Sequence, residues 1–221
     1  MDTHGNNKPQ PIDFLLTFAV KEEARSLAVP SNTKVILTGM GRDNAEDAIR
    51  QALTQFKPRL VLTCGFAGGL NPVLKSNEII FDAEETVVLK ERLLQLKATP
   101  VQFFCARRVA ITAEEKQRLW RATGLDAVEM ESDSIREICR EKAIPSATIR
   151  VISDTAHEDL PLDFNKLRSP SQNIDYKKLG WALLRAPGKM MELISFQQKT
   201  VEASKSLSGF LQKLVVGGVP L

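Results

Sequence analysis

Three apolar runs fall within the first 64 residues, at 13–20 (DFLLTFAV), 33–37 (TKVIL) and 59–64 (RLVLTC), and each ends at a charged or glycine-bearing segment. Runs of this length without polar alternation predict strands buried on both faces, as in a parallel sheet covered by helices on each side. Between the second and third, Ala45, Ala48, Ile49, Ala52, Leu53 and Phe56 form one stripe at helical spacing. Asp43 or Asn44 is placed to cap that helix and Pro58 to stop it. Residues 21–25 (KEEAR) are placed to open a helical turn. The order β, helical turn, β, α, β predicts a mostly parallel sheet with right-handed crossovers.

The middle of the chain reads as richer in strands, at 78–81, 85–89 and 101–110, the last interrupted by Arg107 and Arg108. Thr112 to Glu115 has the form of a capping box, opening a helix through Leu119 and Trp120 that ends near Gly124. Residues 132–142 form a further helix with Ile135, Ile138 and Cys139 inward, ended by Pro145, and 147–153 (ATIRVIS) a strand stopped by Asp154. A polar loop over 155–177 follows. Residues 179–216 are expected to be helical with a break near Pro187 and Gly188, their apolar positions packing on the sheet or on a second subunit. The predicted whole is a single α/β domain over 12–221, a central mostly parallel mixed sheet flanked by helices, after a disordered tail at 1–11.

Length and charge narrow the function classes. A chain of 221 residues is long enough to bury a core without disulfides. A net charge of only +3 with no basic block argues against nucleic acid or an anionic membrane as partner. Cys64, Cys105 and Cys139 show no CxxC spacing, which predicts buried thiols in a reducing compartment and no zinc site. With His4 and His157 the only histidines, acid–base chemistry falls to carboxylates. Without a signal-peptide core or a membrane-length apolar run, the expected location is the cytoplasm.

Ligands of parallel α/β sheets bind beyond the carboxyl ends of the strands. At those ends lie Glu22 and Glu23, Gly39 and Gly41 with Arg42, the stretch from Gly65 to Gly69, and Asp154. Where another strand meets its helix stand Glu129, Met130 and Glu131, two carboxylates flanking a soft apolar residue, suited to gripping hydroxyls and packing on a carbon skeleton. Acidic residues also favour the N-terminus of a following helix through its dipole. Gly65, Gly68 and Gly69 would allow a ligand close to the backbone or simply turn the chain, and Asp154 could equally cap a strand end.

The segments Cys64-Gly-Phe-Ala-Gly-Gly-Leu70, Val128-Glu-Met-Glu131-Ser and Arg150-Val-Ile-Ser-Asp154 together resemble the nucleoside phosphorylase superfamily, which includes purine nucleoside phosphorylases and 5′-methylthioadenosine/S-adenosylhomocysteine nucleosidases. Residues 22–25 and 154–163 also look like a bacterial branch proposed to cleave adenine from adenosylhopane. The resemblance implies cleavage of an N-ribosidic bond in a small-molecule purine nucleoside, with water or phosphate as co-substrate. It needs no cofactor or metal, and implies a homodimer or other homo-oligomer. It implies that Asp154 donates a proton to the purine N7, its proton affinity raised by burial or by the other carboxylates. Glu23 would orient water, Glu131 would hold the ribose hydroxyls and Met130 would pack on the sugar. Glu129 would be structural or touch a hydroxyl. Gly65, Phe66, Ala67 and Ser153 would line the substrate, Phe66 replacing a small serine. Val109 or Arg108 falls near the position of the aromatic that stacks on the base, and Gly41, Arg42 and Arg108 are candidates for phosphate. Hydrolysis is preferred over phosphorolysis. A nucleoside-binding protein without catalysis and, less favoured, a scaffold protein using the C-terminal helices as an interaction surface are the other readings.

Overall fold

The computed structural model describes residues 8–83, 87–166 and 190–216. Its strands and helices follow in the order β1 Gln10–Phe18, β2 Thr33–Leu37, α1 Arg42–Gln55, β3 Phe56–Gly69, β4 Ile79–Asp82 and α2 Val87–Gln95. After these come β5 Thr99–Pro100, β6 Phe103–Cys105, α3 Ala113–Thr123, β7 Ala127–Glu129, α4 Ser132–Glu141, β8 Ser146–Asp154 and α5 Met190–Val216. The eight strands make one mixed sheet in the order β2-β1-β3-β8-β4-β5, with β7 pairing β3 and β6 pairing β7. β2, β1, β3 and β8 are mutually parallel, and β4 runs antiparallel to β8. The predicted α/β domain with a mostly parallel mixed sheet is therefore the observed one.

Side-chain alternation along the strands divides the core between the two faces of the sheet. Phe14, Leu16, Phe18, Leu60, Leu62, Ile149 and Val151 pack with Leu207, Leu211 and Leu214 of α5. On the other face Leu15 and Val61 meet Ala45, Ile49 and Ala52 of α1 and Ile135, Ile138 and Cys139 of α4. β3 and β8 are the axis of the molecule, and β8 is buried over its whole length. Burying 15 large apolar side chains on the first face and six on the second, at roughly 1.5–3 kcal/mol apiece, is what holds the layers together.

Several elements depart from their sequence reading. Residues 21–26 form turns, not the start of a helix, because the Glu23 side chain folds back onto its own chain and accepts hydrogen bonds from the amides of Ala19 and Val20 at 2.9 and 3.2 Å. α1 begins at Arg42 after Gly41, so neither Asp43 nor Asn44 caps it; the Asn44 side chain donates to the Met40 carbonyl instead. Pro58 does not end that helix but lies within β3, beside Ile12 of β1 and before the pairing with β8 begins at Val61. The glycine segment is not a loop, since β3 continues through Gly69 by exchanging β1 for β7 as its neighbour. Residues 87–89 belong to a helix rather than a strand, and the run at 101–110 contributes only β6, with bends at Arg107 and Arg108. β1 takes in Gln10 and Pro11, and Cys105 is half-buried where a buried thiol was expected. In α5, Phe210, Leu211, Leu214 and Val215 are buried as predicted, whereas Met191 and Ile194 are exposed rather than packed on the sheet. The expected break at Pro187 and Gly188 and the second part of the 155–177 loop lie outside the described residues.

The capping box is present. Thr112 Oγ1 accepts from the Glu115 amide at 3.1 Å, and Glu115 reaches back to the Ile111 amide at 2.9 Å. Gly124 ends α3 in the left-handed conformation at φ 69°.

Candidate active site

At the centre of the carboxyl edge is a buried arginine. Arg150, only 2% exposed, donates from Nη2 to Glu129 Oε2 at 2.6 Å and lies 3.6 Å from Glu131 Oε2. Its Nη1 stands across β3 from Glu23, with Gly65 between them. A Cβ on Gly65 would lie 2.5 Å from Glu23 Oε1 and 2.6 Å from Arg150 Nη1, and the backbone there has φ +148°. Only glycine fits both the conformation and the close approach. The fold thus brings together Glu23 from the turn after β1, Glu129 and Glu131 from the β7–α4 junction, and Arg150 from β8.

The three carboxylates are not equivalent. The oxygens of Glu129 are engaged internally: Oε2 accepts from Arg150 and from the amides of Glu131 and Ser132 at 3.0 and 2.8 Å, and Oε1 from the Ser132 hydroxyl at 2.7 Å. Burial alone would push its carboxyl up, but Arg150 and these donors overcome it and hold it below the ordinary range. Glu131 accepts the Gly41 amide on Oε1 at 2.8 Å, so it closes the N-terminus of α1 from 90 positions away. Burial is the main force on its carboxyl; Arg150 opposes it only in part, the neighbouring Glu129 adds to it, and the pKa rises to about 7. Glu23 accepts from the Phe66 amide on Oε1 at 2.8 Å, and burial likewise raises its pKa against the pull of Arg150. Burial alone would depress Arg150, yet Glu129, Glu131 and Glu23 keep it above its usual value.

Four residues further along β8, about 13 Å at strand rise, is Asp154. Its Oδ1 accepts from Ser153 Oγ at 2.6 Å, and its Oδ2 pairs with Lys116 Nζ at 2.5 Å. The expected neighbours were other carboxylates; the observed one is a lysine, fully buried on α3. Asp154 and Ser153 open onto a cleft of about 620 Å³, also lined by Glu158, Asp159, Leu160 and Pro161 and, from α5, by Met191, Glu192, Ser195, Phe196 and Lys199.

The remaining predicted residues are dispersed. Met130 is buried beside the carboxylates, and Ala67 is buried with its carbonyl accepting Ser153 Oγ at 3.3 Å. The half-buried Phe66 side chain packs against the main core. Val109 is held by the Asn165 side chain at its amide and carbonyl, and neither it nor Arg108 is among the residues lining the cleft. The aromatic that does line it is Phe196, whose ring stands 5.5 Å from that of Phe164. Arg42 pairs with Glu46 and Glu137 at 2.9 and 3.0 Å, and Arg108 with Glu115, all on exposed arginine side chains. The Gly41 amide is taken by Glu131, so the three phosphate candidates do not converge.

Sequence reasoning missed Arg150, Lys116 and Phe196 as site residues. The first two leave a signal. An arginine inside the apolar run ATIRVIS must find carboxylates, and Lys116 stands three and four residues before the inward Leu119 and Trp120 on one helical stripe. Phe196 comes from α5, far along the chain from the Ser153 to Pro161 side of the cleft, and leaves none. Among the described residues no group of histidine, cysteine and acidic side chains could hold a metal ion, and no helix is long and apolar enough to cross a membrane.

Residues 82–185 match the family model described as phosphorylase superfamily. The chain is 26% identical over 171 residues to a 5′-methylthioadenosine/S-adenosylhomocysteine nucleosidase of Glaesserella parasuis, covering 62% of this chain and 74% of the relative. A nucleosidase of the same name from Anoxybacillus flavithermus is 24% identical, covering 62% and 73%. Among solved structures, a Helicobacter pylori nucleosidase of that name superposes with a TM-score of 0.67 at 17% identity over 96% of this chain and 100% of the other. The futalosine hydrolase of the same organism gives 0.66 at 17% identity over 95% and 98%. The likeness to the phosphorylase superfamily read from three motifs is thus borne out, in sequence and in fold.

Proposed function

We propose that the protein is a purine nucleosidase that hydrolyses the N-ribosidic bond of an adenine nucleoside such as methylthioadenosine or S-adenosylhomocysteine, acting in the cytoplasm as a homo-oligomer. The bond from C1′ to the purine breaks with its electron pair entering the base, and Asp154 supplies the proton to N7. Water adds to C1′, losing its proton to Glu23. Glu131 accepts from ribose hydroxyls and Met130 packs on the sugar, while Glu129 keeps Arg150 and the start of α4 in place. A cationic ribosyl transition state is favoured by the carboxylates, whose charge exceeds that of the single arginine. The relatives that the chain matches, named as nucleosidases, support the reaction class.

The observation that carries hydrolysis over phosphorolysis is the surroundings of the buried cation. Arg150 is already shared by three carboxylates, so a phosphate dianion entering there would meet like charge. The candidate arginines Arg42 and Arg108 are occupied in exposed ion pairs. The test is a panel of purine nucleosides assayed for free base with and without phosphate. Base release without phosphate is expected. A strict phosphate requirement would make the protein a phosphorylase, including one for an adenosylhopane-type substrate, and binding without any release would leave a nucleoside-binding protein.

A further inference from the structure

We infer that Lys116, which the mechanism above does not use, is the positioning residue of Asp154 and makes it a better proton donor; the inference rests on the assignment of Asp154 as the acid. The lysine arrives from α3 fully buried, and its ammonium has three acceptors: Asp154 Oδ2 at 2.5 Å, the Thr155 carbonyl at 2.9 Å and the Glu158 carbonyl at 2.8 Å. An ammonium has three donors, so all are engaged and none is left for a ligand. Its action on the base is therefore through the carboxylate. The pair is closely housed, since a Cβ on Gly68 would come within 3.2 Å of Asp154 Oδ2 and 3.8 Å of Lys116 Cε.

This clamp does two things. It fixes Oδ2 and the backbone that follows β8, leaving Oδ1, set by the Ser153 hydroxyl, as the oxygen that meets the purine. It also stabilises the carboxylate that remains once the proton has gone to N7, because a buried carboxylate beside an ammonium is far less costly than one alone. The turn is secured from its other side: Glu158 accepts from the Thr155 amide at 2.9 Å and pairs with Lys199 of α5. The other charged groups around Asp154 in the cleft are Asp159 and Glu192, both acidic, so Lys116 is the cation in direct contact with the carboxylate.

The test compares Lys116→Met with Lys116→Gln, which can still donate to the two carbonyls but carries no charge, in full-length protein assayed for free base from pH 5 to 9. Removing the cation favours the protonated acid, so the alkaline limb of the rate profile should move to higher pH, and kcat should fall roughly 10- to 100-fold with KM little changed. A lysine that only supports the fold would lower the melting temperature and leave the limb where it is, and that result overturns the inference. Should the methionine variant fail to fold, the glutamine variant carries the same comparison. Wild-type protein that releases no base from any nucleoside removes the functional reading and this inference with it. Wild-type release with an unmoved limb in the variants removes only the role of Lys116.

Discussion

Asp154 sits at the end of β8 with one oxygen on Ser153 and the other on Lys116, so replacing it tests chemistry more than folding. Asp154→Asn should reduce base release by at least 100-fold, the scale of a lost general acid, with circular dichroism unchanged; full turnover would refute its role. Glu131 acts at the other end. As an acceptor for ribose hydroxyls it works best ionised, and burial has raised its pKa to about 7. In initial-rate measurements kcat/KM should therefore climb with pH through about 7 before it levels, and Glu131→Gln should abolish that climb. Gly65 is the residue that leaves room for Glu23 and Arg150. Gly65→Ala forces a methyl into the space between Glu23 and Arg150, and should cost on the order of 2 kcal/mol in urea unfolding along with most of the activity.

The elements differ in how clearly their sequences define them. α3 carries its own instructions, a threonine and a glutamate that bond at its start and a glycine at its end, and its boundaries were legible for that reason. Thr112→Ala should cost about 1 kcal/mol, read from the shift of the urea midpoint. α1 has the opposite character. Its apolar stripe was plain, yet its first turn is closed by Glu131, 90 positions distant, which no local signal announces. The glycine segment of β3 reads as a turn on similar grounds. Glycine-rich backbone is poor strand material in isolation, and here it is extended because β8 and β7 supply its hydrogen-bonding neighbours. The start of α2 reads as a strand because the apolar trio at 87–89 fits either period over so few residues.

For the molecule as a whole, the buried acids predict how stability follows pH. A carboxyl whose folded pKa exceeds its unfolded value binds its proton more tightly in the native state. Between about pH 4.5 and 7 the native protein therefore holds more protons than the unfolded chain, and stability falls as pH rises through that window. For Glu131 the full effect is about 3 kcal/mol, with Glu23 acting in the same direction and Glu129, whose pKa is lowered, in the opposite one. The melting temperature should thus be higher near pH 5 than near pH 7.5, and Glu131→Gln should flatten the difference; an unchanged slope in that variant would contradict the assignment. By itself the amino-acid order determined the layers: apolar runs and helical stripes state which surfaces must leave water, and two short motifs mark strand ends that carry carboxylates. Only the tertiary structure decided what those carboxylates face. Glu129 turned to Arg150, Glu131 to the head of α1, and Asp154 to Lys116, because charge pairing acts between chain segments whose distance in space is unrelated to their separation in sequence.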